Sequence, residues 1–170
     1  PVLDDGKDYH FPTRIVLARI VTEAQRIHRQ PAPLALKLFR PDSQYEDEQL
    51  LAVTLAMGDM LAASKYQHWA GLGPVERNVL GFNPADRNME RVFRTLDWLE
   101  RRAGANGFWP NEISIQDVVL ACLILWSESR GAIEWRGRPK LESIVARLKD
   151  RASFVATAPL PWPPTQADQP

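Results

Sequence analysis

Few of the 170 residues are of the types that do chemistry, and their spacing limits what they can do. One cysteine, Cys122, and three scattered histidines, His10, His28 and His68, cannot supply a closed zinc site. No phosphate loop, no G-x-G-x-x-G and no Gly-x-Ser-x-Gly elbow is present. Cys122 lies in the run VVLACLILW, where a free thiol behaves as a small hydrophobe; reactive thiols sit in exposed, electropositive places, so a core position is expected. Asp59 interrupts a largely apolar stretch and calls for a hydrogen-bond partner on a neighbouring helix. Tyr66, His68 and Trp69 fall together, and a polar-tipped aromatic group of this kind could line a pocket mouth. The same three residues would serve equally as an aromatic plug at a helix end. Burial is the simpler account of Trp98 and Trp126.

The elements that must position these groups centre on Ser114-Ile115-Gln116-Asp117 and the apolar run behind it. Ser114 can accept from the amide near Asp117 while the Asp117 carboxylate reaches back to the Ser114 amide, a reciprocal cap at S-x-x-D spacing. Ile113 and Val118 stand at the flanking positions of a hydrophobic staple, which sets the angle at which the chain enters the helix. From Ile115 to Trp126 the only polar residues are Gln116 and Asp117, so this helix is expected to run through the middle of a core, surrounded by other helices.

Before it, PVLDDGKDYHF reads as two short extended pieces around a turn at Asp5-Gly6. An amphipathic helix follows over residues 13–29, with Ile15, Val16, Ile20, Ala24 and Ile27 as its stripe and Pro12 near its start. The proline-punctuated QPAPLALKLFRPD is a linker. Ser43 and Glu46 predict a capping box for a long helix reaching toward Tyr66, and the Gly- and Pro-punctuated stretch after it predicts a loop. Asn83-Pro84 cap another helix with Met89, Val92, Phe93, Leu96 and Leu99 as its stripe and Gly104 as a stop. After the central helix, Arg138-Pro139 opens a shorter one carrying Leu141, Ile144, Val145 and Leu148. The ending from Ser153 predicts an extended strap that then frays.

Composition excludes several classes. With 21 basic and 21 acidic residues there is no field to draw nucleic acid, and no apolar run reaches the roughly 18 residues a membrane span needs. The expectation is a cytoplasmic protein without a membrane or nucleic-acid partner. Opening on Pro1, the chain reads as a fragment or processed form.

Ser114-Ile-Gln-Asp117 with its apolar helix, then Arg138-Pro139-Lys-Leu141, then Leu148-Lys-Asp-Arg151-Ala-Ser153-Phe154-Val-Ala-Thr157-Ala-Pro159, closely resembles the C-terminal half of the cytosolic glutathione S-transferases. At the front, Pro1-Val2-Leu3 with Asp5-Gly6 resembles that family's cis-proline strand and "DG" turn, and Thr13-Arg14-Ile15 its "S-R-x-I" helix start. The resemblance implies a mainly α fold: a helical bundle of the transferase C-terminal type around a buried central helix, preceded by a partial thioredoxin-like hairpin and helix. Its units would be residues 1–30, the partial glutathione-binding domain; 31–41, a linker; 42–160, the helical domain; and 161–170, a proline-rich tail.

Glutathione as co-substrate, a small hydrophobic electrophile, no metal and a homodimer are what the resemblance implies. Val2 would hydrogen-bond the cysteinyl backbone of the peptide, Thr13 would receive its γ-glutamyl carboxylate, and Tyr66 and Trp69 would line the electrophile pocket. The family activates the thiol with a Tyr, Ser or Cys in an earlier turn, and no residue here matches it. Pro12 replaces the acidic or amide residue that usually precedes the serine position, one extra residue separates Gly6 from Thr13, and Ala152 replaces a proline. The alternative function is a non-catalytic interaction module of the same shape.

Overall fold

The computed structural model describes residues 2–27, 37–69, 81–131 and 133–159. Gly6, at φ +80°, takes the turn that a side chain would strain, and three aspartates near it accept from turn amides: Asp4 from Gly6, Asp5 from Lys7 and Asp8, and Asp8 from Tyr9. The hairpin so formed pairs β1 (Leu3–Asp4) with β2 (Tyr9–His10) antiparallel, Leu3 opposite His10 and Asp4 opposite Tyr9. A cis bond joins Phe11 to Pro12. The Pro12 carbonyl accepts from the amides of Ile15 and Val16, which starts α1 (Thr13–Ile27).

α1 meets the rest of the chain along one narrow line. Leu17 packs on a cluster of Leu51, Ile115 and Val119, and Arg14 pairs with Glu48. Val16 and Val21 are buried, whereas Ile15, Ile20 and Ile27 of the expected stripe stay exposed. Two apolar rows lie side by side on this helix, and periodicity alone does not tell which one a neighbour covers.

The chain enters α2 (Gln44–Trp69) through one turn of 3₁₀ helix at Pro41–Ser43. Instead of a box at Ser43 and Glu46, the fully buried Asp47 holds this junction. It accepts from the Arg40 amide at 2.8 Å, from the Arg40 guanidinium at 2.7 and 3.0 Å, and from Trp109 Nε1 at 3.1 Å. Asp59 is exposed on α2, so it needs no partner on another helix. α3 (Pro84–Arg102) opens as expected, with Asn83 Oδ1 accepting from the Ala85 amide at 2.9 Å, and buries Val92, Leu96 and Leu99 against α2.

α4 (Ile115–Ser129) carries the expected capping box: the Asp117 amide donates to Ser114 Oγ at 3.0 Å and the Ser114 amide to Asp117 Oδ2 at 2.9 Å. Ile113 and Val118 are both half-buried. α5 (Pro139–Lys149) buries all four residues of its stripe. Residues 152–156 form a further short helix, α6 (Ala152–Ala156), where the sequence predicted an extended strap; the α5–α6 junction closes through Arg151 N to the Leu148 carbonyl at 3.0 Å. The main core joins α2, α3, α4 and α5 with Trp109 and Trp135, whose indole N–H groups donate to Asp47 and Glu128. Trp98 and Trp126, expected inside, are half-buried at its margin. The result is a mainly helical protein with a two-stranded preface. No helix among the described residues is long and apolar enough to cross a membrane.

Candidate functional site

Three places hold the residues that could act, and they differ in how firmly the fold builds them. The first is the open end of the hairpin. Leu3 pairs with His10, so Val2 is one step beyond the pair on β1 and Phe11 one step beyond on β2, and Pro12 leads directly into Thr13 at the head of α1. The register therefore brings Val2 and the segment before Thr13 to the same edge. Val2 and Phe11 are each 66 % exposed and Thr13 is half-buried. An extended residue beside a helix start offers what a peptide ligand needs: a strand edge for main-chain hydrogen bonds and helix-end amides for a carboxylate.

The second is the end of α2. Tyr66 is exposed and Trp69 is the last residue of the helix; the Trp69 and His68 side chains lie outside the described residues. Lys65 donates to the Gly131 carbonyl at 3.1 Å, which ties this end of α2 to the end of α4. Tyr66 lines none of the cavities described below.

The third was missed by the sequence reading. A cavity of about 590 Å³ lies between α4 and α6, lined mainly by Cys122, Leu123, Leu125, Trp126, Phe154 and Val155, with Lys149 and Thr157 as its polar members. Cys122 is exposed to it rather than packed in the core. The reason lies in α4 itself: Leu120, Ala121 and Ile124 face α2, α3 and α5, but Cys122, Leu123, Leu125 and Trp126 face a side that α6 covers only in part. A helix apolar all round reads from sequence as surrounded, and here one sector is left open. The i, i+4 pair Cys122 and Trp126, with Phe154 in the following R-A-S-F segment, is the signal that could have shown it. Burial pushes the Cys122 thiol above its ordinary value, so at neutral pH it is a poor nucleophile.

The head of α4 is built most firmly and does structural work. Asp117 is fully buried and accepts from the amides of Phe108 at 3.0 Å and Ser114 at 2.9 Å, with Arg147 Nη2 at 3.3 Å. Burial pushes its carboxyl above the usual range, against the pull of those amides and of Arg147. Beside it Gln116 donates to the carbonyls of Leu38 and Asp47 and so fastens α4 to the segment between α1 and α2. Among the described residues no group of three or more His, Cys, Asp or Glu side chains is placed to hold a metal ion. No protein-family model matches the chain, and none of the curated proteins searched matches it.

Proposed function

We propose that the chain is a glutathione S-transferase-like protein that binds glutathione along the Val2–Thr13 edge and, when complete with a thiol-activating residue, transfers it to a small hydrophobic electrophile. The observation that supports this most is the hairpin register, which sets the Val2 backbone beside the segment leading to the head of α1. On this reading the Val2 backbone pairs with the cysteinyl unit, Thr13 meets the γ-glutamyl carboxylate, and Tyr66 and Trp69 belong to the electrophile side. The reciprocal cap of α4 agrees with the same family pattern. The thiol-activating Tyr, Ser or Cys is supplied by sequence outside residues 1–170. A donor there lowers the thiol pKa, and the thiolate attacks the electrophile. The homodimer belongs to this proposal too, and sedimentation would measure it.

The test is a glutathione titration followed by amide chemical shifts. Shifts at Val2 and around Thr13 are expected, and Thr13→Ala should weaken binding about tenfold through one lost charge-assisted hydrogen bond. Absence of shifts there at millimolar glutathione, together with no conjugation of a chromogenic dinitrophenyl halide by the intact gene product, would reject the reading.

The second reading, a non-catalytic interaction module, is favoured by the exposed apolar residues Val2, Phe11, Ile15, Ile20 and Ile27 on the hairpin and α1. Glutathione binding without conjugation would not separate the two; failure to bind glutathione with retained binding of a protein partner through these residues would favour the module.

A further inference from the structure

Asp5 is where three parts of the N-terminal unit meet. Its Oδ1 closes the turn by accepting from the amides of Lys7 and Asp8 at 3.0 Å each. Its Oδ2 lies 2.9 Å from His10 Nε2 on β2 and 2.9 Å from Arg19 Nη2 on α1. One carboxylate oxygen is thus shared by a permanent cation and by an imidazole, the side chain type that changes charge near neutrality. We propose that this shared oxygen is a pH-dependent latch: protonated His10 closes the hairpin and holds it on α1, and loss of the imidazole proton loosens both.

The geometry makes the imidazole decisive because Arg19 alone is a weak tie. It reaches Asp5 through a single nitrogen instead of a two-pronged fork, its Nε is buried without a partner, and its other contact is Glu23 at 3.6 Å. The strands are two residues each, and a hairpin of that size is marginal, so a modest change in one tie shifts its population. A neutral imidazole protonated on Nε2 still donates to the carboxylate, but without charge assistance, so the latch weakens without vanishing. The other charges around it are Asp4, Lys7 and Asp8 on the hairpin and Glu23 and Arg26 on α1, with Glu23 held by Arg26 at 2.7 Å. Acidic groups outnumber basic ones there, so a proton on His10 adds attraction. In agreement, the Asp5 carboxyl is held far below the usual carboxylate range, with the His10 contact as the largest cause and the turn amides next. A loosened hairpin would also disturb the Val2–Thr13 edge; that consequence rests on the function proposed above, while the latch does not.

Solvent-exchange rates of the amides of residues 4–10, measured on the 170-residue chain by saturation transfer and corrected for intrinsic rates, test it. Protection should fall about two- to fivefold between pH 5.5 and pH 8, the range for a partly exposed ion pair. His10→Gln should give low, pH-independent protection and His10→Lys, which keeps a charge, high protection at both pH values. A flat wild-type profile, or the same pH slope in His10→Gln, would overturn the proposal. No glutathione enters the measurement, so it fails or succeeds independently of the transferase reading.

Discussion

The backbone of Gly107 passes over the Asp117 carboxylate with no room for a side chain: a Cβ on Gly107 would lie 2.7 Å from Asp117 Oδ1 and 2.8 Å from Oδ2. Gly107 also sits at φ +112°, where L side chains are strained. The tight loop before α4 and the cap of α4 are therefore one device. The glycine lets the backbone come close enough for the Phe108 amide to reach the carboxylate.

Gly107→Ala should accordingly destabilise the protein by about 3 kcal/mol, roughly half from the backbone and half from the clash. Gly131, at φ +59° with nothing within 4 Å of its would-be Cβ, is the control, and Gly131→Ala should cost only about 1 kcal/mol. In thermal melts that is a fall of about 10 °C against about 3 °C. Equal shifts for the two variants would show that the contact with Asp117 carries no weight.

Asp117→Ala removes the cap and leaves two buried amides, those of Phe108 and Ser114, without acceptors. At about 1 to 2 kcal/mol for each stranded group, the loss should be about 3 kcal/mol in urea unfolding. Arg147→Ala should cost about 0.5 kcal/mol, because the guanidinium is one-third exposed and 3.3 Å away, so solvent screens most of the attraction. If the arginine variant lost as much as the aspartate variant, the ion pair and not the amides would be holding the helix head.

What the sequence made legible is the part decided by local chemistry. The Ser114–Asp117 box, the Asn83 cap, the Asp5-Gly6 turn and the α5 stripe are all short-range patterns, and each forms where its residues predict. What it hid depends on who the neighbour is. Ile20 and Val21 are adjacent and apolar, and only the position of Leu17 on α2 and α4 decides that Val21 is covered. Asp47 holds Arg40 and Trp109 from 7 and 62 residues away, which no spacing rule reveals. For the candidate site, the register supports the adjacency of Val2 and the Thr13 segment, whereas Tyr66 lines no described cavity and the Trp69 side chain and the linker and tail boundaries at 31–36 and 160–170 fall outside the described residues.

Cys122 gives a pH prediction. Burial disfavours the thiolate, so the fraction able to react is smaller at every pH below its raised value than for an ordinary thiol. Alkylation by iodoacetamide should therefore reach half its maximal rate at a higher pH in the folded protein than in the same protein unfolded in urea. Cys122 is the chain's single cysteine, so the unfolded chain is its own reference. A folded profile with the same or a lower midpoint would mean that the α4–α6 cavity does not shield the sulfur.

Gly58 on α2 offers a last test, of whether that cavity has slack. An added Cβ would meet Leu123 Cδ2 at 2.8 Å and Cδ1 at 3.1 Å, close enough to force a shift. Both atoms are the free end of a half-buried side chain that also borders the cavity, so Leu123 can swing toward open space. The clash costs about 1 kcal/mol, and the better helix propensity of alanine returns about the same. Gly58→Ala should thus leave the urea midpoint nearly unchanged. Made in a Leu123→Ala background, where nothing is left to strike, the same substitution should stabilise by about 1 kcal/mol, and the difference between backgrounds is the coupling of the two positions. A zero coupling would mean that the two side chains do not meet, and a large loss in the first background would mean that Leu123 has nowhere to go.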